Sequence, residues 1–358
     1  MKQERILAIN PGSTSTKIAV YEGTKNIFLK TLRHSSEELV DFAKITDQFA
    51  FRKNIILKEL ETAGIDISSI RVIVGRGGLI KPIPSGVYEV NEKMEADLKI
   101  GIMGEHASNL GGLIAADISR TLEGARAFIA DPVVVDELNE VARVAGHPLF
   151  ERASIFHALN QKAVARSYAK SLNKKYDELN LIVAHLGGGI SVGAHQKGKV
   201  IDVNNALDGE GPFSPERSGT LPVGQLAKLC FEGNHSLEEI KKMITGKGGY
   251  VAYLNTNSAY DVELAAREGD KKATLIQNAM AYQVGKEIGA MAAVLKGQVD
   301  GIILTGGIAH NAYFVNYIKE MVEHLGNIIV YPGEDEMEAL AINGLMVLRG
   351  ETTPLVYE

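Results

Sequence analysis

The chain has 358 residues, of which 45% are hydrophobic and 23% charged, proportions typical of a globular protein in water. Its formal net charge of −6 disfavours general binding to nucleic acid or to an anionic membrane. The single cysteine, Cys230, excludes an intramolecular disulfide and a cysteine-based metal cluster. At this length we expect two domains. No stretch approaches the roughly 20 apolar residues of a membrane helix, and the N-terminus lacks a signal-peptide pattern, so we expect a cytoplasmic protein.

Short β-branched runs alternate along the chain with longer helical patterns, which predicts an α/β protein. The predicted strands are residues 6–9, 18–21, 70–74, 127–130, 181–185, 191–195, 302–304 and 328–330. The predicted helices are residues 37–63, 107–121, 156–172, 221–231, 270–295, 311–324 and 334–348.

Two segments resemble each other in the order strand, glycine turn, strand and charged end. They are "ILAINPGSTSTKIAVYEG" (6–23) and "IVAHLGGGISVGAHQKGK" (182–199), and further strands and helices follow each. This similarity predicts a duplicated two-domain fold in which a glycine hairpin from each domain faces a shared cleft.

Three glycine turns follow apolar strands: "NPGSTST" (10–16), "HLGGGIS" (185–191) and "LTGGIAHN" (304–311). Glycine lets backbone N–H groups approach an anion closely, and a helix after the third turn adds its dipole. The first turn also carries hydroxyls and Lys17, which suit phosphate oxygens, although an ordinary hairpin with a solvated tip would look the same. Neither a Walker loop nor a dinucleotide fingerprint occurs in the sequence, so a nucleotide site would be of another class.

The motifs resemble those of the acetokinase family, within the superfamily of actin, sugar kinases and heat-shock ATPases. In family order they are "INPGSTSTK" (9–17), "FHALNQK" (156–162), "HLGGGIS", "ERSGT" (216–220), "LTGGIAHN" and "EDEMEALA" (334–341). Details such as "VGRGG" (74–78) are closer to the butyrate kinases of that family.

The resemblance implies two duplicated ribonuclease H-like (actin-like ATPase) domains with an interdomain nucleotide cleft. We expect the first domain to span residues 1–134, completed by a C-terminal helix at about 339–358. The second would span residues 135–338.

Catalytic roles follow from the resemblance. Arg217 and His157 match the residues that stabilise the phosphoryl group in transfer, and Asp131 matches an aspartate that organises the site. Taken singly, Arg217 could be a surface ion pair, His157 a core histidine and Asp131 a turn former.

The expected cofactors are ATP/ADP and Mg²⁺. Asn10 and Glu336 match residues that hold the metal, although the neighbouring Glu338 permits a register slip. The positions that match nucleotide contacts are Asn10, Ser13, Ser15, Lys17, His185, Gly187, Gly188, Gly189, Gly306, Gly307, Ile308 and Asn311. The family's adenine motif has no clean match in "YLNTNSAYDVE" (253–263), so adenine contacts are left open.

The residues expected at the carboxylate substrate are Arg76, His106, Phe156 and Ala206. Acetate kinases have a proline where Ala206 falls, and the loop before Arg217 is about two residues longer here. A smaller side chain and a reshaped loop leave room for extra methylenes. The alternative is that Ala206 lies outside the pocket.

The resulting hypothesis is ATP-dependent, reversible phosphorylation of a short-chain carboxylate, butanoate above all. Acetate, propionate and branched-chain acids are the alternatives. An ATP-hydrolysing regulator or chaperone on the same fold is the alternative of another class. The expected partners are small molecules and further copies of the chain, in a homodimer or larger homo-oligomer to which residues 270–295 contribute.

Overall fold

A computed structural model describes residues 4–333 and 335–358, and these residues form two compact units. Unit 1 contains the described residues up to Val135 and those from Asp335 onward, and unit 2 contains the residues between them. The second boundary therefore precedes Asp335, whereas the sequence analysis placed it after residue 338.

All eight predicted strands are present, and in the described part of the chain three further strands complete the sheets. In chain order the strands are β1 (Arg5–Pro11), β2 (Ser15–Glu22), β3 (Lys25–Arg33), β4 (Ile70–Arg76), β5 (Val87–Glu89), β6 (Arg126–Ala130), β7 (Asn180–Leu186), β8 (Ile190–Gln196), β9 (Lys199–Val203), β10 (Gly301–Gly306) and β11 (Ile328–Pro332). The strands that the sequence analysis missed are β3, β5 and β9. The first of these is largely exposed and has too little apolar alternation to stand out.

The helices are more numerous than predicted. In chain order they are α1 (Ser36–Leu39), α2 (Phe49–Thr62), α3 (Glu92–Ile100), α4 (Asn109–Arg120), α5 (Glu140–Arg143), α6 (Ala158–Ser171), α7 (Val223–Phe231), α8 (Leu237–Ile244), α9 (Gly249–Leu254), α10 (Ala259–Arg267), α11 (Lys271–Val294), α12 (Ala312–Val322) and α13 (Glu336–Leu348). None of those in the described part of the chain combines the length and apolar character that crossing a membrane requires.

The single helix predicted over residues 37–63 is wrong. The structure has α1, a 3₁₀ turn at Ile45–Gln48, and α2. The Asp47 carboxylate accepts a hydrogen bond from the Lys44 backbone N–H at 2.9 Å, and such local side-chain bonds favour turns over a continuous helix. For the helix predicted over residues 334–348, the described part begins at Glu336 behind an Asp335 cap, and Glu334 lies outside the described residues.

The two units share one topology over five strands, and unit 1 adds β5 at one edge, antiparallel to β6. In unit 1 the strand order is β3-β2-β1-β4-β6-β5, and in unit 2 it is β11-β10-β7-β8-β9. In each unit three antiparallel strands (β1 to β3, β7 to β9) are followed by two strands parallel to the first, namely β4 and β6 in one and β10 and β11 in the other. The similarity between the two hairpins in the sequence therefore reflects a repeated arrangement of strands.

Helices cover both faces of the unit 2 sheet, and the side chains of β7 alternate between them. Ile182 and Ala184 pack with α11, whereas Leu181 and Val183 pack with α6 on the other face. In unit 1, α4 and α13 pack against β4. The ends of β1 and β7 are thus held on rigid, buried strands.

Candidate active site

His157 and His185 lie stacked in unit 2. His157 immediately precedes α6, His185 lies near the end of β7, and their ring centroids are 3.8 Å apart with planes 10° from parallel. His185 is buried, and its Nδ1 lies 2.8 Å from Asn160 Oδ1. Because that amide oxygen only accepts hydrogen bonds, the His185 proton lies on Nδ1. The two predicted histidines therefore form one cluster.

A serine that the sequence analysis did not select holds His157. His157 Nδ1 lies 2.8 Å from Oγ of Ser191, a buried residue on β8 directly opposite His185 in the sheet register. The sequence feature that could have indicated Ser191 is its position as the last residue of the glycine turn "HLGGGIS". The register of the glycine hairpin is what places that hydroxyl on the same face as His185.

Arg217 lies against the glycine turn beside His157. A Cβ at Gly189 would overlap the Arg217 guanidinium and would come 3.3 Å from His157 Cε1, so a larger residue there would displace the Arg217 side chain. The Arg217 Nη1 donates to the Ala206 carbonyl at 2.5 Å, which places Ala206 next to the arginine. Burial lowers the pKa of Arg217, but a guanidinium titrates so far above neutrality that it remains charged.

The Ala206 backbone is itself fixed, since its N–H donates to the Ile155 carbonyl at 2.8 Å. This bond ties the segment before Arg217 to the segment before His157. Phe156, expected at the substrate, is almost completely buried at 2% exposure.

The two glycine turns of unit 2 lie at the carboxyl ends of neighbouring parallel strands, β7 and β10. Gly306 has a φ of 92°, and a Cβ there would overlap the Leu186 carbonyl, so the second turn packs directly against the first. In the first turn, the Gly187 N–H donates to the Gly189 carbonyl at 3.1 Å. The Ser214 hydroxyl donates to the Gly188 carbonyl at 2.6 Å.

Asn311 caps α12 after the second turn. Its Oδ1 accepts from the Phe314 N–H at 3.1 Å, and its Nδ2 donates to Gln277 Oε1 at 3.1 Å. The side chain is therefore engaged in holding the helix start. Gly307 and Ile308 belong to the 3₁₀ turn that leads into it.

A cavity of unit 2 opens beside Gly307 and Ile308 and encloses about 370 Å³ including its mouth. The residues that line it are Tyr250, Ala259, Tyr260, Glu263, Gln277, Gly307, Ile308, His310, Asn311 and Phe314. Several come from the 253–263 region, where the sequence analysis found no motif. Only the tertiary packing of α10 against α11 brings them to the turn.

Asn10, Arg76 and Glu336 meet in unit 1. Asn10 Nδ2 donates to Glu336 Oε2 at 2.6 Å, and Arg76 Nη1 donates to the same oxygen at 3.0 Å and to Asn10 Oδ1 at 3.4 Å. Glu338 is exposed, and its N–H donates to the Asp335 cap. Glu336, rather than Glu338, is therefore the acid in contact with Asn10. Arg76, expected at the substrate carboxylate, is paired with Glu336.

The hydroxyl-rich hairpin tip of unit 1 is held from beneath by a buried arginine that the sequence analysis missed. Arg52 donates to the carbonyls of Gly12, Ser13 and Ser15 at 2.8, 3.0 and 3.0 Å. Arg52 thus binds the inner side of the turn, and the Ser13 side chain on the outer side is exposed to solvent. Lys17 is exposed on β2, opposite Asn10 in the register.

Asp131 has a strained backbone, with a φ of 38°, directly after β6. It is 2% exposed, and its Oδ1 accepts from the Ser85 hydroxyl at 2.6 Å and from the Gly86 N–H at 3.0 Å. His106 is exposed at the start of the turn that leads into α4, and its Nδ1 accepts from the Ser108 N–H at 3.2 Å.

The two oxygen donors of Glu336 and Asn10 in unit 1 are of the type that magnesium prefers. Among residues 4–333 and 335–358 no group of three or more histidine, cysteine or acidic side chains is placed to hold a metal. Magnesium in phosphoryl-transfer enzymes keeps several waters and takes one or two protein oxygens besides the phosphates. The Glu336 carboxylate and the Asn10 amide oxygen are of that kind.

Comparison with known proteins agrees with this architecture. A crystal structure of acetate kinase from Porphyromonas gingivalis superimposes with a TM-score of 0.79 at 20% identity, covering 96% of this chain and all of that one. A propionate kinase structure from Francisella tularensis superimposes with a TM-score of 0.74, also at 20% identity, over 95% of this chain and 98% of the other. The chain therefore shares the α/β fold of those two kinases, with one sheet in each of its two units.

The sequence relationship is closer. The model of the acetokinase family matches residues 149–341. Butyrate kinase 1 of Clostridium acetobutylicum is 58% identical over 354 residues, 99% of each chain. The chain belongs to the acetokinase family.

Proposed function

We propose that this protein is a butyrate kinase, which transfers the γ-phosphoryl group of ATP to butanoate and runs reversibly. The observation that carries the proposal is the 58% identity, over 99% of the chain, to a protein named butyrate kinase. The cluster of Arg217, His157 and His185 beside a glycine turn supports it, since transfer between two anions needs positive charge and hydrogen-bond donors.

In the reaction, a carboxylate oxygen attacks the γ-phosphorus while the bond to the β-phosphate oxygen of ADP breaks. The nucleophile is already an anion, so no general base is required and the protein's work is positioning and charge stabilisation. We assign Arg217 and His157 to the phosphoryl group in transfer. Asp131 organises the site through its fixed, strained position.

The nucleotide is proposed to bind along the glycine turns. In unit 2, His185 and the turn at Gly187, Gly188 and Gly189 take phosphate oxygens. Gly306, Gly307, Ile308 and the Asn311-capped helix start border the nucleoside.

We propose the cavity beside Gly307 as the adenine site, because Tyr250 and Tyr260 line it with aromatic side chains and Glu263 and Gln277 line it with polar ones. This assignment fills the gap that the missing adenine motif left. In unit 1, Ser13, Ser15 and Lys17 are proposed to contact phosphate oxygens, since Ser13 and Lys17 are exposed and Lys17 is cationic.

Magnesium is proposed to be held by Glu336 and Asn10, directly or through water, and when bound it would neutralise charge on the phosphates. Arg76 steadies the Glu336 carboxylate through their ion pair. The same arginine is proposed to exchange this partner for the substrate carboxylate, for which His106 is a further contact.

The acyl chain is proposed to lie against Phe156 and Ala206. Support comes from the Arg217–Ala206 bond, which places the small Ala206 side chain near the arginine. Acetate, propionate and branched-chain acids remain as alternative substrates, and an ATP-hydrolysing regulator as the alternative of another class.

We also propose a cytoplasmic homo-oligomer. Helix α7 supports self-association, because it has no buried residue and exposes Val223 and Phe231 at 77% and 93%. The region first expected to contribute, residues 270–295, places Met280 and Ile288 in the core of unit 2.

The test is incubation with ATP, Mg²⁺, hydroxylamine and unbranched acids of two to six carbons. Hydroxamate formation with the highest kcat/KM for butanoate supports the proposal. Each buried methylene contributes about 0.8 kcal/mol of binding free energy, so kcat/KM should rise with each carbon added from acetate to butanoate. A maximum at acetate refutes the butyrate assignment, and steady ATP hydrolysis without hydroxamate supports the regulator.

A further inference from the structure

The side chain of Gln161, on α6, lies over a gap in β8. Ser191, Gly193 and His195 alternate along that strand and lie on one face, toward α6. A Cβ on Gly193 would come 2.7 Å from Gln161 Oε1 and 3.3 Å from His195 Nε2. The absence of a side chain at Gly193 is therefore what lets the Gln161 carboxamide reach from Ser191 to His195.

The orientation of that carboxamide is determined by its partners. Gln161 Nε2 donates to the Ser191 carbonyl at 3.0 Å and to Ser191 Oγ at 2.8 Å. Its Oε1 lies 2.9 Å from His195 Nε2, so this nitrogen carries a proton and donates.

His195 is neutral, which gives the chain of bonds one direction. It is fully buried, and burial lowers its pKa well below the ordinary value, with the charges of Lys162 and Arg166 adding to the effect. With its proton on Nε2, His195 Nδ1 accepts from the Tyr176 hydroxyl at 2.6 Å. The donors at Tyr176, His195 and Gln161 therefore all point toward Ser191.

The Ser191 hydroxyl donates its hydrogen bond to His157. Its oxygen accepts from Gln161 Nε2 at 2.8 Å and from the His157 backbone N–H at 3.4 Å, which uses both lone pairs. The hydroxyl proton then points at His157 Nδ1, 2.8 Å away. In the neutral ring Nδ1 is an acceptor and Nε2 carries the proton.

We propose that the chain Tyr176–His195–Gln161–Ser191, buried from His195 onward, sets the tautomer of His157, holding its proton on Nε2, and that Gln161 and Ser191 are positioning residues for phosphoryl transfer. The catalytic part of this inference rests on the proposed function, which assigns His157 to the phosphoryl group, because a proton on Nε2 lets the ring donate to a phosphoryl oxygen. The tautomer itself is a property of the free protein and can be measured without substrate.

The experiment is ¹⁵N NMR of protein labelled at histidine nitrogen, with the His157 signals assigned by their loss in His157→Gln. We expect a protonated Nε2 and an unprotonated Nδ1 in the wild type. Gln161→Glu has nearly the same shape, but its carboxylate accepts the Ser191 proton. Ser191 Oγ must then accept from His157, so the proton moves to Nδ1. Ser191→Ala removes the directing hydroxyl and should give a mixture of both tautomers.

Kinetics supply the second readout. A misplaced proton should lower kcat about 10²-fold or more in Gln161→Glu, with little change in the KM for ATP, since ground-state binding does not use it. Gln298→Glu, the same change at an exposed residue beyond the end of α11, is the matched control and should match the wild type.

Several results would overturn the proposal. It fails if the wild-type proton lies on Nδ1, or if neither Gln161→Glu nor Ser191→Ala alters the His157 signals. It also fails if the tautomer moves as expected while kcat does not. If Gln161→Glu does not fold by circular dichroism, Ser191→Ala decides the question. A protein that shows the Nε2 tautomer but makes no acyl phosphate refutes the proposed function and leaves the structural inference standing.

Discussion

Replacing Arg52 by methionine removes the support beneath the hairpin tip of unit 1. The guanidinium makes six hydrogen bonds, two to Gln48, three to the carbonyls of Gly12, Ser13 and Ser15, and one to the Thr16 hydroxyl. Methionine fills a similar volume and donates none. The variant therefore tests whether these bonds hold the turn.

The loss of folding stability in Arg52→Met depends on which of the hydrogen-bond acceptors of Arg52 water can reach. Residues 12, 13 and 15 are partly or fully exposed, so water replaces the donor at their carbonyls at little cost. Gln48 is 6% exposed, and leaving its buried oxygen without a donor costs about 1–3 kcal/mol. The Thr16 hydroxyl, 0% exposed, keeps His34 Nε2 as a partner at 2.9 Å. We expect the free energy of unfolding to fall by about 1–3 kcal/mol. The KM for ATP should rise about tenfold, which corresponds to about 1.4 kcal/mol of binding free energy.

The assays are a urea titration followed by circular dichroism, hydrogen exchange of the 6–22 segment, and the KM for ATP. Arg52→Lys keeps the charge but has too few donors to make all six bonds, so it should lie between the wild type and Arg52→Met. Arg71→Met, the same change at a partly exposed residue of β4, is the control. Wild-type stability and exchange in Arg52→Met would refute the reasoning. Full recovery by lysine would show that the charge, rather than the bonding pattern, matters.

Three further outcomes are expected. Arg217→Ala should lower kcat by about 10³-fold or more while ATP affinity changes little, and a loss of less than about tenfold would place Arg217 outside the chemistry. Glu336→Ala should raise the Mg²⁺ concentration for half-maximal rate with the circular dichroism unchanged, and an unaltered Mg²⁺ dependence would exclude Glu336 from the metal site. Ala206→Val should shift the preferred acid toward shorter chains by about 10- to 200-fold per methylene excluded, and an unchanged chain-length profile would place Ala206 outside the acyl pocket.

The local sequence pattern was sufficient to predict the positions of most strands and the duplicated arrangement of the two units. Buried strands such as β7 and β10 are short, apolar and bounded by glycine turns, so their positions are determined by residues that are neighbours in sequence. The same holds for the two glycine hairpins, whose similarity predicted a duplication that the matching sheet orders bear out. Order along the chain was also enough to identify the acetokinase family.

The contacts that build the candidate site come from the tertiary structure alone. Glu336 meets Asn10 across 326 positions of the chain, and Arg52 reaches the hairpin tip from 36 to 40 positions away. No local pattern distinguishes such residues from an ordinary helix acid or a surface arginine, because their partners are decided by which strands and helices pack together. Glu336 could thus be named only through the family resemblance, and Arg52 escaped the sequence analysis altogether.

The network behind His157 shows the same division most clearly. The sequence determines that Ser191, Gly193 and His195 share a face of β8, since side chains alternate with a period of two. It does not determine that α6 crosses that face with Gln161 over Gly193, because this depends on how the helix packs on the sheet. Residues that are neighbours in sequence thus determine the secondary structure and identify the family. The direction of each hydrogen bond at His157 is determined by the packing of α6 on the sheet.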